Sequence, residues 1–223
     1  MDLLKKTSLK GYINMSILGV KINGEKVIIS YENEKELEIE ILLKTYIEFP
    51  FFKGQEIDEI NFKKMLKKDE ENRLYEEAYN HLRKSDLTSD ELTNNLLKKH
   101  PKKKGVIIQI IKDLKQKNLI NDDHFVGHFI RKGISSFKGF ERIKYELSIK
   151  GIDEQLIYEN FDDDLKELEK EKAYQLGNKQ LRLSKNLEFR KARDKVYYKL
   201  AYAGYSKEII DEIMYKLNLI KEI

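Results

Sequence analysis

The chain has 223 residues, which is enough for one large domain or two small ones with a buried core. Hydrophobic residues make up 40% of it and charged residues 37%, so the apolar fraction is too high for a disordered chain. Cysteine is absent, which excludes a disulfide framework, thiolate metal ligands and cysteine catalysis. The net charge of +4 is too small to indicate nucleic-acid binding by itself.

The sequence gives no signal for secretion or membrane insertion. Residues Met1–Ser8 contain no apolar core of a signal peptide. No apolar run approaches the roughly 18 residues that a membrane helix needs. We therefore expect a cytoplasmic protein without a membrane partner.

The first part of the chain has the pattern of β-strands. Asn23-Gly24 stands between the apolar runs Val20–Ile22 and Val27–Tyr31, which predicts a hairpin with a type I′ turn and positive φ at both central residues. From Leu37 to Leu43, apolar residues alternate with glutamates, as in a strand with one solvent-exposed face. The sequence therefore predicts a three-stranded meander from about Tyr12 to Leu43.

From about Ile57 the pattern becomes helical, and an internal repeat is visible. The apolar pairs Leu92/Leu96, Ile143/Leu147 and Val196/Leu200 recur at steps of 51 and 53 residues. Gly151 and Gly204 each follow an apolar helical stripe, as helix-terminating glycines do. We predict a mainly α fold, in which three tandem three-helix repeats form an elongated, curved array after a small N-terminal β-meander.

The predicted organisation is a small β-rich N-terminal segment, residues 1–56, and a helical repeat domain, residues 57–223. The approximate repeats are 72–120, 121–163 and 164–223. Predicted helix starts agree with this register. Thr88 and Glu91 have the spacing of a capping box, and Asn121 and Ser206 are placed to cap later helices.

No combination of residues predicts catalysis. His124 and His128 have the spacing of two metal ligands on one helix face, but the sequence places no third ligand beside them. Asp162–Asp164 lacks the ligand spacing and the glycine of a calcium loop. Both clusters are typical of solvated helix surfaces. We expect a protein that is not an enzyme and holds no cofactor or metal.

Charge is distributed in bands along the chain. Residues 153–171 contain nine acids and two lysines, whereas residues 178–199 contain eight basic residues and two acids. Phe189, Tyr197 and Tyr198 lie in or beside the basic band, and such interleaving favours contact with a phosphate backbone or with an acidic protein. A solvated helix surface would give the same pattern. The candidate partner-binding residues are Lys179, Arg182, Lys185, Arg190, Lys191, Arg193, Lys195 and Lys199.

A second basic cluster comprises Lys98, Lys99, Lys102, Lys103 and Lys104 around Pro101. We predict that it lies in a loop, where lysines lose more entropy on docking, so that it contributes less than the first band. Within the first band, Arg182, Lys185 and Arg193 share a face only if one helix continues across Ser184.

Several segments in order carry a family pattern. Thr88–Leu92 is followed by Asn118–Val126 with an acidic helix start, and then by Lys138–Ile152 with a glycine, an Ile and a Leu four apart, and Lys-Gly-Ile. With the three-copy repeat, these segments resemble the RecX family over nearly the whole chain, most closely from Leu74 to Ile157. The N-terminal β segment with Lys53–Glu56 resembles the extension of Gram-positive-type members.

The resemblance implies a non-enzymatic regulator, expected to be a monomer. RecX proteins bind the RecA recombinase filament on DNA, lie in its helical groove and restrain its strand-exchange, ATPase and coprotease activities in DNA repair, recombination and the SOS response. Some also bind DNA. Two other readings stay open, namely direct binding of single- or double-stranded DNA and a helical scaffold for another protein partner.

Overall fold

The structure is a computed structural model that describes residues 14–220, so Tyr12 and the N-terminal residues discussed above lie outside the described part. The chain divides into two compact units, which meet in sequence between His81 and Leu82. The predicted boundary at 56/57 marks the change to helical periodicity and stays a prediction. Within residues 14–220, no helix is long and apolar enough to cross a membrane.

The first unit contains the strands β1 (Asn14–Asn23), β2 (Lys26–Asn33), β3 (Lys35–Leu42) and β4 (Glu56–Asp58), the short helix α1 (Leu43–Glu48) and most of α2 (Glu59–Lys84). The second contains α3 (Ser89–Lys99), α4 (Lys104–Gln116), α5 (Asp122–Ser135), α6 (Phe140–Ile149), α7 (Glu154–Glu159), α8 (Asp163–Leu183), α9 (Phe189–Ala203) and α10 (Lys207–Lys216). The prediction of a mainly α fold behind a small β-sheet is confirmed.

The sheet is antiparallel, in the order β3-β2-β1-β4. The predicted meander is confirmed, including the exposed glutamates of β3, but the predicted turn type is wrong. Asn23 still pairs with Lys26, so Gly24 and Glu25 are central, and only Gly24 has positive φ, at 60°. A glycine at the first central position suits that geometry. The three residues of β4 are too few to show an alternating pattern in the sequence.

The helices recur in the predicted order, as α2–α4, α5–α7 and α8–α10. The three apolar pairs that revealed the repeat are completely buried. Thr88 forms the full capping box with Glu91, and Asn121 and Ser206 accept hydrogen bonds from the backbone of their helices, as predicted. The repeat positions are core positions, and the second and third repeats each centre on an apolar cluster of their own.

The second helices of successive repeats meet end to end. At the first junction, the Thr88 hydroxyl donates to the Lys150 carbonyl oxygen at 2.7 Å, so the start of α3 contacts the end of α6. At the second junction, the Gly139 amide donates to the Ala203 carbonyl oxygen at 2.9 Å, so the start of α6 contacts the end of α9. Each junction therefore satisfies a carbonyl that a helix end would otherwise leave without a partner.

Glycines permit these contacts. A Cβ atom on Gly151 would lie 2.3 Å from the Asp90 carboxylate, and one on Gly139 would lie 2.3 Å from the backbone of Gly204. Gly151 and Gly204 also have positive φ, at 75° and 88°, which terminates their helices. The glycines chosen from the sequence as helix ends are thus also the points where repeats touch.

A carboxylate from the following repeat caps each of these two helix starts. Asp122 of α5 accepts hydrogen bonds from the amide and hydroxyl of Ser89, at 2.8 and 2.6 Å. Buried Glu169 of α8 accepts the Phe140 amide at 2.6 Å. Burial raises the pKa of Asp122, but hydrogen bonds from Lys115 and Ser89 outweigh it and lower the pKa overall. Burial raises the pKa of Glu169, and the Phe140 amide offsets only part of that rise.

The first prediction concerns Gly139. Gly139→Ala forces a methyl group into the backbone at Gly204, and we expect it to lower the free energy of unfolding by about 3 kcal/mol, the upper part of the usual range for overpacking. Gly105→Ala is the matched control, because nothing lies within 4 Å of its Cβ position in α4 and alanine favours helix. Chemical denaturation measures both variants. Equal stability of the two would contradict this account of the junction.

The second prediction concerns Glu169. Its raised pKa means that the folded state binds the proton more tightly than the unfolded state, so its contribution to stability is present at acid pH and is lost as pH rises above about 4.5 through the folded pKa. Glu169→Gln keeps an acceptor for Phe140 and carries no charge. Its stability relative to the wild type should therefore increase from pH 4.5 to 7.5 in urea denaturation.

Glu169→Ala serves as the control, because it leaves the buried Phe140 amide without its acceptor and should be destabilising throughout this range. A difference between Glu169→Gln and the wild type that stays constant with pH would rule out the assigned titration.

Candidate functional site

The basic band occupies the end of α8, the turn after it and most of α9. Ser184 ends α8, where its amide donates to the carbonyl oxygens of Gln180 and Leu181, and α9 begins at Phe189. Arg182, Lys185 and Arg193 therefore lie on a helix end, a turn and a second helix, and no single helix face holds all three. The structure resolves the alternative that the sequence had left open at Ser184.

Helix α9 has a buried stripe and two basic flanks. Ala192, Val196 and Leu200 are buried at intervals of four residues, which fixes the orientation of the helix. On one flank, Lys191, Lys195 and Lys199 repeat at the same interval, with Tyr198 and Tyr202 beyond them. On the other, Arg190, Arg193 and Tyr197 lie three or four residues apart.

Most of the band carries charge that no neighbour neutralises. Arg193 is paired with Asp194 at 2.9 Å, and Lys191 lies 3.6 Å from Glu188, with both side chains about 70% exposed. Among the described residues, the other members form no ion pair: Lys179, Arg182, Lys185, Arg190, Lys195 and Lys199. These side chains are solvent-exposed, so the surface can attract anionic partners but is screened by salt.

Exposed tyrosines accompany the charges. Tyr198 is 69% and Tyr202 81% exposed, and the Tyr197 and Tyr198 rings meet edge to face at 5.8 Å. The Arg142 guanidinium of α6 lies 6.0 Å from the Tyr202 ring, so the surface continues across the second junction. An amphipathic ring at the surface suits contact with either a protein or a base.

The repeat places an exposed tyrosine at equivalent positions of α6 and α9. Tyr145 and Tyr198 each follow the buried core residue Ile143 or Val196 by two positions, and Tyr145 is 66% exposed. Sequence reasoning aligned the core residues but did not use this equivalence between outward-facing neighbours. The step of 53 residues that joins Ile143 to Val196 also joins the two tyrosines and could have shown it.

The positive residues at the start of α9 oppose the helix dipole. Its first turn contains Arg190 and Lys191, no acidic residue and no side-chain cap. Helix N-termini favour negative side chains, and a misplaced charge there costs some tenths of a kcal/mol. In α8, by contrast, acids at the start and Arg182 at the end follow the dipole rule. Arg190 and Lys191 therefore do not stabilise this helix start through the dipole, although the N-cap residue Glu188 lies 3.6 Å from Lys191.

The second basic cluster is more ordered than predicted. Lys98 and Lys99 form the last turn of α3, Pro101–Lys103 is a 3₁₀ turn, and Lys104 begins α4. The predicted loop is wrong, because proline fixes φ near the helical value and fits the first position of a helical turn.

The other sequence candidates do not assemble a chemical site. His124 and His128 are exposed along a cavity of about 660 Å³ beside Lys132. Asp162 caps α8 by accepting the Leu165 amide at 2.9 Å, and Asp163 pairs with a lysine. Across residues 14–220, no group of three or more histidines, aspartates and glutamates is arranged to hold a metal ion.

These features define an α-helical repeat protein with an exposed basic and aromatic surface, which is an architecture suited to binding. No family model matches the chain. The regulatory protein RecX of Clostridioides difficile strain 630 is 29% identical over 198 residues, which cover 88% of this chain and 92% of the relative. The regulatory protein RecX of Clostridium beijerinckii is 29% identical over 205 residues, covering 90% and 93%.

Two solved structures share the fold. The crystal structure of a regulatory protein RecX superposes with a TM-score of 0.72 at 23% identity, covering 89% of this chain and 98% of that one. RecX from Lactobacillus salivarius gives a TM-score of 0.61 at 29% identity, covering 68% and 99%. The resemblance to RecX regulatory proteins that the sequence predicts is confirmed by these relatives and by the shared fold.

Proposed function

We propose that this protein binds the RecA–DNA filament and inhibits the recombinase, ATPase and coprotease activities of RecA, without chemistry of its own. Similarity to RecX regulatory proteins over most of the chain supports a regulatory role. The observation that carries the proposal is the start of α9, where Arg190 and Lys191 stand exposed against the helix dipole. The unfavourable interaction of these positive residues with the helix dipole is offset when they contact a partner, and an acidic partner provides such a contact.

The mode of action follows from the placement of charge. Exposed, unpaired lysines and arginines accelerate encounter with an oppositely charged surface and orient the two molecules. Helices α8 and α9 hold these charges on a rigid backbone, which limits the entropy lost on docking. A bound array of this kind restrains a filament by contacting it, and needs no catalytic group.

The experiment is a titration of the protein into the RecA of its own organism on single-stranded DNA, with ATP hydrolysis as the readout. We expect the hydrolysis rate to fall as the protein saturates the filament. Sedimentation of the protein with the filament, measured in the same samples, reports binding independently of inhibition. An unchanged rate and no co-sedimentation at saturating ratios would defeat the proposal.

The second candidate function is direct binding of single-stranded nucleic acid. The flank of α9 that carries Lys195 and Lys199 together with Tyr198 and Tyr202 favours it, because lysines can follow phosphates while tyrosines stack on bases. Such binding weakens steeply between low and physiological salt. Binding to the filament that persists at a salt concentration where naked-DNA binding is lost would favour the protein partner.

The third prediction ranks the two basic clusters. Charge reversal of Arg190, Arg193 and Lys195 should weaken binding to the RecA–DNA filament by more than about tenfold, on the order of 1.4 kcal/mol. These three side chains cover both flanks of α9, so any approach to the helix meets at least one of them. Equilibrium binding at fixed salt measures the effect.

The matched comparison is charge reversal of Lys102, Lys103 and Lys104, which should cause a smaller loss. Both triple variants change the net charge equally, so a general electrostatic effect would weaken them to the same extent. Equal or greater loss from the second variant, with both proteins folded by circular dichroism, would refute the ranking.

A further inference from the structure

Three apolar side chains at the end of α8, in the turn after it and at the start of α9 are exposed to solvent and do not belong to the core. Leu183 is 74% exposed, Phe189 62% and Leu187 38%. These three residues lie within seven positions of one another, among Arg182, Lys185 and Arg190. Clustered exposed apolar side chains with a polar rim mark interaction sites in soluble proteins, whereas single exposed ones are ordinary.

Helix α9 is longer than its counterpart by about one turn at its start, and this turn carries Phe189. When the buried residues Ile143 and Val196 are aligned, α6 begins three residues earlier at Phe140, but α9 begins seven residues earlier at Phe189. Phe140 is buried, whereas Phe189 is exposed. The additional turn therefore adds an aromatic side chain to the surface and none to the core.

We propose that Leu183, Leu187 and Phe189 form the apolar centre of a docking surface for a protein partner, whose complementary surface carries carboxylates around an apolar depression. Charge complementarity identifies the partner, because the exposed residues Arg182, Lys185 and Arg190 alternate along the chain with the apolar ones and form no ion pair in the described part of the chain. Aromatic and arginine side chains at the centre of a patch are the usual hot spots of protein interfaces.

The inference rests on the proposed function, since it assigns the contact by which the filament is held. In this account, the apolar and the charged side chains have different effects on the kinetics of binding. Apolar side chains that leave water on docking determine how slowly the complex dissociates, whereas rim charges determine how fast it forms and how strongly salt weakens it. The two contributions can be separated kinetically.

The experiment measures association and dissociation rates of the full-length protein on immobilised filaments of its cognate RecA. The double variant Leu183→Ser/Phe189→Ser should dissociate at least about tenfold faster, with association and salt dependence unchanged within about twofold. Arg182→Glu/Arg190→Glu should mainly slow association. Ile108→Ser/Phe52→Ser is the matched control, since its side chains are 53% and 67% exposed elsewhere, and it should bind as the wild type does.

Each outcome decides the question. Wild-type dissociation of the Leu183→Ser/Phe189→Ser variant, with its helicity retained, overturns the docking surface and leaves the proposed function standing. An equal loss of affinity for naked single-stranded DNA assigns the patch to nucleic acid and also overturns it. Binding of the wild type but not the variant to phosphatidylglycerol vesicles, with unchanged filament binding, assigns it to a membrane. If the wild type does not bind the filament, both proposals fall.

Discussion

The helical unit depends on one kind of contact, the end-to-end meeting of second helices at a glycine. At both junctions the chain brings a helix start so close to the helix end of the following repeat that a side chain on the glycine would overlap neighbouring atoms. The direct hydrogen bonds at Thr88 and Gly139 form because of this approach. The direction in which the lysines and tyrosines of α9 face follows from its buried stripe, which packs against α8 and α10.

Two carboxylates cap the helix starts at these junctions, and they differ in how their charge is stabilised. Asp122 is held in its charged form by Lys115 and Ser89, whereas Glu169 is buried with little compensation for its charge. Both occupy the end of the helix where a negative group is favoured. The first turn of α9 reverses that preference, because it carries Arg190 and Lys191 and no acidic residue. The chain thus follows the dipole rule where repeats are joined and departs from it where a partner is expected.

Much of the fold could be predicted from the sequence, because buried positions impose a period that is visible without coordinates. The pairs at Leu92, Ile143 and Val196 showed the repeat, and short-range capping patterns showed the helix starts. Long-range features could not be predicted in this way. No local pattern shows that Glu169 caps a helix 29 residues earlier, since the same residue would be placed on a solvated face by composition alone. The exposure of Leu183 and Leu187 was missed because apolar residues near helix ends are usually core residues.

The capping carboxylates also give the chain a direction of assembly. Helix α6 obtains its cap from Glu169 and its end contact from Ala203 and Gly204, all of which come later in the sequence. Helix α3 depends in the same way on Asp122 and Lys150. During synthesis from the N-terminus, each repeat therefore emerges from the ribosome before the groups that complete it. The start of α6 therefore stays without its contacts until Glu169 and Ala203 of the third repeat have been synthesised.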